Sequence, residues 1–365
     1  MEKGKGKYLM NMLLLLAFVA GLFYFMIKDH VNEVMGILST VGTRELVALF
    51  VIAAADIIVC GLLITTLGRR YDRKYSIYEG VSAHLISNMF FSITPMGIAS
   101  YPSAMYVYKK QNMNTEEGIS MVMTQTLLKQ IFVAIACMGL SLYFISNPVT
   151  ATVWGFTVNI STICIIVCAL NVIASTSLLA MCLSKRVHRI ISKVIYFVIR
   201  VVFRKHNEDS MQRKFDEKIE ETEAALKVIL NDKVLFYKQM VLHFVKTLLL
   251  YGSPYLIYLL LNKTAIFDMN TFIYWYASIM FVSYAAAVVP LPGGSLAIET
   301  FSVIILTSAV EGQAALLTSI ILLWRIFLHY GPVALGAIWM VKPIKGRVRA
   351  TSTKVVTNGF DNYEE

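Results

Sequence analysis

The sequence predicts an all-α polytopic membrane protein, on three observations: extreme apolarity, apolar runs of membrane-crossing length, and basic clusters that alternate with those runs. Of the 365 residues, 57 % are hydrophobic and only 15 % are charged, and the mean hydropathy is +0.64. A soluble domain this apolar would have to cover its surface with hydrophobic side chains and would aggregate. A bilayer as solvent removes that difficulty. The expectation is about seven or eight transmembrane helices, plus two broken or re-entrant helices arranged as an internal repeat.

The first run, Tyr8 to Ile27, follows Lys3, Lys5 and Lys7. It is long enough to span and lacks a small-x-small cleavage site, so it reads as an uncleaved first span. Further spans fall near 47–68, 119–145, 152–183, 237–261, 271–289 and 314–341. Between them stand Arg69, Arg70, Arg73 and Lys74, then Lys109 and Lys110, and after them Lys342, Lys345, Arg347 and Arg349. These clusters fit on one side, while the loops at 28–46, 146–151 and 262–270 carry little positive charge. The positive-inside rule therefore puts both termini in the cytoplasm of a multi-pass plasma-membrane protein.

The organisation expected is an N-terminal membrane half (1–183), cytoplasmic amphipathic helices (184–236), a C-terminal membrane half (237–342) and a disordered cytoplasmic tail (343–365). In 184–236, Arg189, Lys193 and Arg200 edge an apolar helix suited to the interface, and Met211, Phe215, Ile219, Leu226 and Ile229 recur at near-helical spacing. A segment of that length does not hold a soluble catalytic domain.

Two stretches do not read as ordinary spans. Residues 78–108 contain Ser92-Ile-Thr-Pro-Met-Gly-Ile-Ala-Ser-Tyr-Pro102, and residues 286–310 contain Val289-Pro-Leu-Pro-Gly-Gly-Ser295 ahead of Glu299. Non-helical backbone at membrane depth leaves polar groups unpaired unless protein or a wet cavity surrounds it. Two such breaks at comparable places point to a transporter-like repeat with a site between the halves, and proline kinks or plain loops are the bland alternative.

Charges inside the bilayer are costly and each requires a reason. Arg325 sits mid-span with His329 one turn on, and Glu299 follows the Pro-Gly-Gly break. A structural Glu299–Arg325 ion pair and a headgroup phosphate on Arg325 are both open, and they are compatible. Lys129 and Lys246, with His243 on the face of Lys246, either snorkel or line a cavity for a phosphate. Asp56 is mid-span and is either paired or protonated, and His84 and Tyr101 flank the first break. The candidate headgroup-binding residues are Arg325, Glu299, Gly293, Gly294, His329, Lys246, Lys129, Thr94 and Tyr101.

Several classes are disfavoured. The excess of Lys+Arg, 33 against 23 Asp+Glu, lies beside apolar spans without aromatic interleaving, which suits anionic lipid and not nucleic acid. The five cysteines lie in apolar stretches without CxxC or Cys/His ligand spacing, so no disulfide framework, metal or cofactor is expected. No hydrolase, zincin or phosphate-loop motif is present, so no catalytic residue is expected.

The run Pro290-Leu-Pro-Gly-Gly-Ser-Leu-Ala-Ile-Glu299, with Leu323-Trp-Arg-Ile-Phe-Leu-His-Tyr330 and Gly336, resembles the C-terminal signature of the lysylphosphatidylglycerol synthetase transmembrane (flippase-like) family. Ile93-Thr-Pro-Met-Gly97 through Tyr106 and Lys109-Lys110, then Gln125 and Lys129-Gln130, resemble its N-terminal Thr-Pro motif. The chain departs from it at Ala99-Ser100-Tyr101-Pro102, where members carry Gly-Gly-Gln-Pro, and this bears on headgroup preference.

The resemblance, which includes the membrane half of the multiple peptide resistance factor, implies a lipid translocase without the synthetase domain. It would move an anionic or aminoacylated phospholipid such as lysyl-phosphatidylglycerol between leaflets and contribute to cationic peptide resistance. A separate synthetase chain, or a second copy in a homodimer, would be its protein partner. The alternatives are the membrane component of a lysyltransferase system and a non-transporting assembly protein.

Overall fold

The computed structural model describes residues 31–148, 150–153, 156–183, 232–286, 291–295, 297–310 and 313–341. The expected first span, residues 184–231 of the amphipathic segment expected over 184–236, and the tail of 343–365 lie outside them. Apart from one β-hairpin, the described regular structure is helical. In chain order it comprises α1 (Val31–Ser39), α2 (Thr43–Tyr71), α3 (Ile77–Ile93), α4 (Ser100–Lys110), α5 (Thr115–Ser146), α6 (Ile160–Leu183), α7 (Lys233–Leu261) and α8 (Met269–Ala286). Then come α9 (Ala297–Leu306) with a 3-10 turn (Thr307–Val310), α10 (Ala314–Arg325), a π-helical turn (Ile326–Tyr330) and α11 (Gly331–Val341).

Among the described residues, four helices are long and apolar enough to cross a membrane: Thr43–Tyr71, Thr115–Ser146, Lys233–Leu261 and the composite Ala314–Met340. Their outward faces are apolar. Exposed Ile135, Met138, Leu142 and Ile145 on α5 recur at helical spacing, as do Ile163, Ile166, Leu170 and Ile173 on α6. A water-soluble helix would carry charge there; apolar stripes facing outward suit lipid, and the protein is a membrane protein.

The expected span at 152–183 is shorter than its apolar run. Its first residues belong to a hairpin in which β1 (Thr150–Val153) pairs antiparallel with β2 (Phe156–Asn159), Thr150 opposite Asn159 and Val153 opposite Phe156. Threonines and valines dominate both strands, and β-branched side chains favour extended backbone.

Side-chain hydrogen bonds fix which ends of the helices lie together. At the basic end, Tyr71 donates to Ser120 Oγ (2.7 Å), Gln111 Nε2 donates to the Glu79 carbonyl (2.9 Å) and Arg70 pairs with Asp232 (3.5 Å). The C-termini of α2 and α4 and the N-termini of α3, α5 and α7 therefore share one end, with Arg69, Arg70, Lys109 and Lys110. At the other end Tyr143 donates to the Asn270 carbonyl (3.1 Å).

It follows that α3 and α4 form a hairpin that enters and leaves by the basic end. A capping box starts α3, with Ser76 and Glu79 satisfying each other's backbone N–H groups. A second hairpin, α8 and α9, enters from the opposite end and returns there, because Tyr274 near the start of α8 donates to the Ile305 carbonyl near the end of α9 (2.8 Å).

The two tips are built alike and touch. In the first, Gly97 N–H donates to Thr94 O (3.1 Å) and Ile98 N–H to Pro95 O (3.3 Å); in the second, Gly294 N–H donates to Leu291 O (3.2 Å) and Ser295 N–H to Pro292 O (3.0 Å). Met96 and Gly97 have φ of 54° and 66°, and Gly293 and Gly294 have 57° and 66°. Pro95 and Pro292 then pair in an antiparallel bridge. These bonds meet freed backbone groups inside each turn and between the tips, which is how irregular backbone is tolerated at membrane depth.

Candidate functional site

A cavity of about 330 Å³ lies beside the meeting point of the two tips. Each half contributes side chains at helical spacing. From α2 come Asp56 and Cys60, from α3 His84, Ser87, Asn88 and Phe91, and from α5 Gln125 and Lys129. From the second half come His243, Lys246, Leu250 and Tyr251 on α7, Ser283 and Tyr284 on α8, Gly293 and Gly294 at the tip, and Trp324, Arg325, Leu328 and His329 along the last helix.

The wall at Arg325 is held by a buried polar network. Arg325 Nε donates to Glu299 Oε1 at 2.6 Å, with side-chain exposures of 4 % and 2 %. Its Nη2 donates to Ser295 Oγ (3.3 Å), and Tyr330 donates to Glu299 Oε1 (3.2 Å) and lies 3.3 Å from Ser295 Oγ. The guanidinium also stands over the Tyr330 ring, 5.2 Å from its centroid. The network ties the second tip and α9 to α10. Glu299 Oε2 carries no hydrogen bond.

Two prolines reshape the helices around this network. Pro254, inside α7, has no N–H for the Leu250 carbonyl four residues back, and Trp324 Nε1 donates there instead (2.8 Å). Pro332 follows the π-helical turn, whose closing bond runs from Gly331 N–H to Ile326 O. The wider turn sits where Pro332 cannot continue the regular ladder, and it carries His329 at the cavity wall.

Of the sequence-predicted site residues, Arg325, Gly293, Gly294, His329, Lys246 and Lys129 all line this one cavity, and Glu299 holds Arg325 from behind. Thr94 and Tyr101 are not in the lining. The Thr94 hydroxyl donates to Phe90 O (2.7 Å) and accepts from Ala99 N–H (3.3 Å), closing the first tip. Tyr101 is 53 % exposed and accepts from Thr126 Oγ1 (3.4 Å). His84, His243 and Asp56, singled out in the sequence as intramembrane polar groups, line the cavity too.

Asn88, Ser283, Tyr251 and Tyr284 were not anticipated. For Asn88 a signal was available as periodicity: it lies one turn from His84, as Lys129 does from Gln125 and Cys60 from Asp56. Such polar stripes on apolar helices mark the face turned from lipid.

The lining is electrostatically positive. Three cations, Lys129, Lys246 and Arg325, face it against one carboxylate, Asp56, while Glu299 neutralises Arg325. Among the described residues neither lysine has an ion-pair partner within 4.0 Å. Asp56 Oδ1, His243 Nε2 and His329 Nε2 carry no hydrogen bond. A cavity walled largely by apolar helices strengthens each contact made to an anion.

No curated protein and no solved structure matches the chain. The family described as the lysylphosphatidylglycerol synthase TM region matches residues 12–336, which take in both hairpins, all of the cavity lining and the Glu299–Arg325 pair. By that match over most of its length, the chain belongs to the lysylphosphatidylglycerol synthase TM region family.

Proposed function

We propose that the protein is a lipid translocase that moves an anionic or aminoacylated phospholipid, such as lysyl-phosphatidylglycerol, between leaflets. The observation that supports this reading is the positive cavity at the meeting point of two oppositely inserted hairpins, where Lys129 and Lys246 have no ion-pair partner within 4.0 Å among the described residues. Its volume, about 330 Å³, is at the lower end of ligand pockets and suits a polar headgroup and not a whole lipid.

The headgroup enters the cavity while the acyl chains stay in the surrounding lipid. Lys129 and Lys246 meet the phosphate. Arg325, held by Glu299, sets the local potential, and α9, whose N-terminal end begins just past Gly294, adds its positive dipole end. The two hairpins with their flanking helices act as an inverted repeat, and rocking of one against the other exposes the site to either leaflet. The chain crosses the plasma membrane about seven or eight times with its basic end cytoplasmic. Outward movement of a cationic lipid would lower the negative surface charge and repel cationic peptides.

The test is a leaflet-accessibility assay in liposomes, following fluorescent phosphatidylglycerol and its lysyl ester with a membrane-impermeant quencher. Transbilayer movement lost in Lys129→Met and Lys246→Met variants of wild-type stability is expected. Movement equal in those variants, or none from folded wild-type protein, would refute the reading. The family's description as a synthase region favours a second reading, a membrane component of a lysyltransferase whose catalytic part is on another chain. Copurification of lysyltransferase activity without movement by this chain would select it.

A further inference from the structure

Asp56 and Cys60 are one turn apart on α2, and His84 faces them from α3. We infer that Asp56, Cys60 and His84 form a binding site for a divalent transition metal of the zinc or cobalt class, with an open coordination position facing the cavity. Their ligand atoms all lie within 4.8 Å of one another.

The packing of α2 on α3 makes this convergence possible. A Cβ at Gly80 would stand 2.3 Å from the Gly61 carbonyl, so two glycines let the backbones approach closely at the crossing. His84 lies one turn beyond Gly80 on α3, and Cys60 adjoins Gly61 on α2. Tetrahedral zinc with N, O and S ligands places its donors roughly 3.5 Å apart, a contraction that side-chain rotation supplies.

Three further features point to a cation. Asp56 is 5 % exposed and its Oδ1 carries no hydrogen bond, so a buried carboxylate oxygen is left for a ligand. The Cys60 thiol is 3 % exposed and free, and a Cys/His/Asp donor set selects zinc or cobalt over magnesium or calcium. Bound as carboxylate and thiolate, Asp56 and Cys60 together neutralise a divalent ion.

Three protein ligands leave a fourth position, the arrangement of open zinc sites. All three residues line the cavity, so that position faces whatever occupies it. The opposing terms are the ammonium groups of Lys246 and Lys129, which line the same cavity; Lys246 competes for Asp56 and both act on Cys60. This gives a signature that loss of folding cannot imitate, namely tighter metal binding on removing a residue.

The experiment uses the full chain, chelator-stripped in detergent and titrated with Co²⁺ without lipid, so its outcome is independent of the translocase reading. One equivalent with the ligand-field bands of tetrahedral cobalt and a thiolate-to-cobalt charge-transfer band is expected. The charge-transfer band disappears in Cys60→Ser and persists in Cys137→Ser, and His84→Ala and Asp56→Asn bind at least about tenfold more weakly. Lys246→Met binds more tightly, by about tenfold or more. Wild-type protein that melts cooperatively but gives no cobalt bands overturns the inference, as does a charge-transfer band that survives in Cys60→Ser.

Discussion

The buried Glu299–Arg325 pair should behave as a coupled unit whose halves cannot be removed singly. In Glu299→Gln the guanidinium loses its counter-charge at a site where its side chain is 4 % exposed and water is no substitute. In Arg325→Met the carboxylate is stripped of its 2.6 Å donor and keeps only the Tyr330 hydroxyl at 3.2 Å. Breaking one partner of a buried pair costs about 3–5 kcal/mol, and one charge-assisted hydrogen bond alone accounts for about 1.5–3 kcal/mol of that.

The double variant Glu299→Gln/Arg325→Met removes both charges, so its cost should fall well below the sum of the singles, with a coupling energy of at least about 2 kcal/mol. The assay is denaturant titration in mixed micelles, followed by tryptophan fluorescence, on the wild type, the two singles and the double. Singles that add within about 0.5 kcal/mol would refute the argument, because independent sites behave that way. A stable double variant then separates roles: retained movement in liposomes makes the pair structural, and lost movement makes Arg325 part of the headgroup site.

Further expectations follow from particular contacts. Trp324→Phe removes the shorter of two donors to the Leu250 carbonyl that Pro254 leaves free, the Ser253 hydroxyl remaining at 3.1 Å, and it should lower stability by about 1 kcal/mol, read as a shift in melting temperature. Gly293→Ala forces φ of 57° on an L side chain and puts its Cβ 3.1 Å from His329 Nε2 and 3.2 Å from Ser92 Cα. A cost of about 1–2 kcal/mol from the backbone alone is expected; unchanged melting would contradict the contact between the tips. Gly336→Ala would bring a Cβ to 2.3 Å from the Leu85 carbonyl on α3, and overpacking should destabilise by about 1–3 kcal/mol in the same melt. Ser76→Ala opens the capping box at α3 and should cost about 1 kcal/mol, with faster hydrogen exchange confined to the first turn.

The sequence alone determined the solvent and the places where the chain breaks. Apolar runs demand lipid whatever their arrangement, and the described helices at 43–71, 115–146, 233–261 and 314–341 overlie the expected spans, since length and hydropathy are local properties. The breaks at Pro95-Met96-Gly97 and Pro292-Gly293-Gly294 were legible for the same reason: proline and glycine act on their own backbone.

The hairpin at 150–159 was hidden because hydropathy does not distinguish an apolar strand from the start of a helix. The π-helical turn was hidden because it depends on a hydrogen-bond register around Pro332 that composition does not encode. Arg325, Lys129, Lys246, His329 and the two glycines were found as individual anomalies, but nothing local says that they face one volume. That juxtaposition, the exclusion of Thr94 and Tyr101 from it, and the convergence of Asp56 and Cys60 with His84 are contacts between helices. They are decided by how glycine-lined helix faces and two opposed hairpin tips pack, which only the tertiary structure specifies.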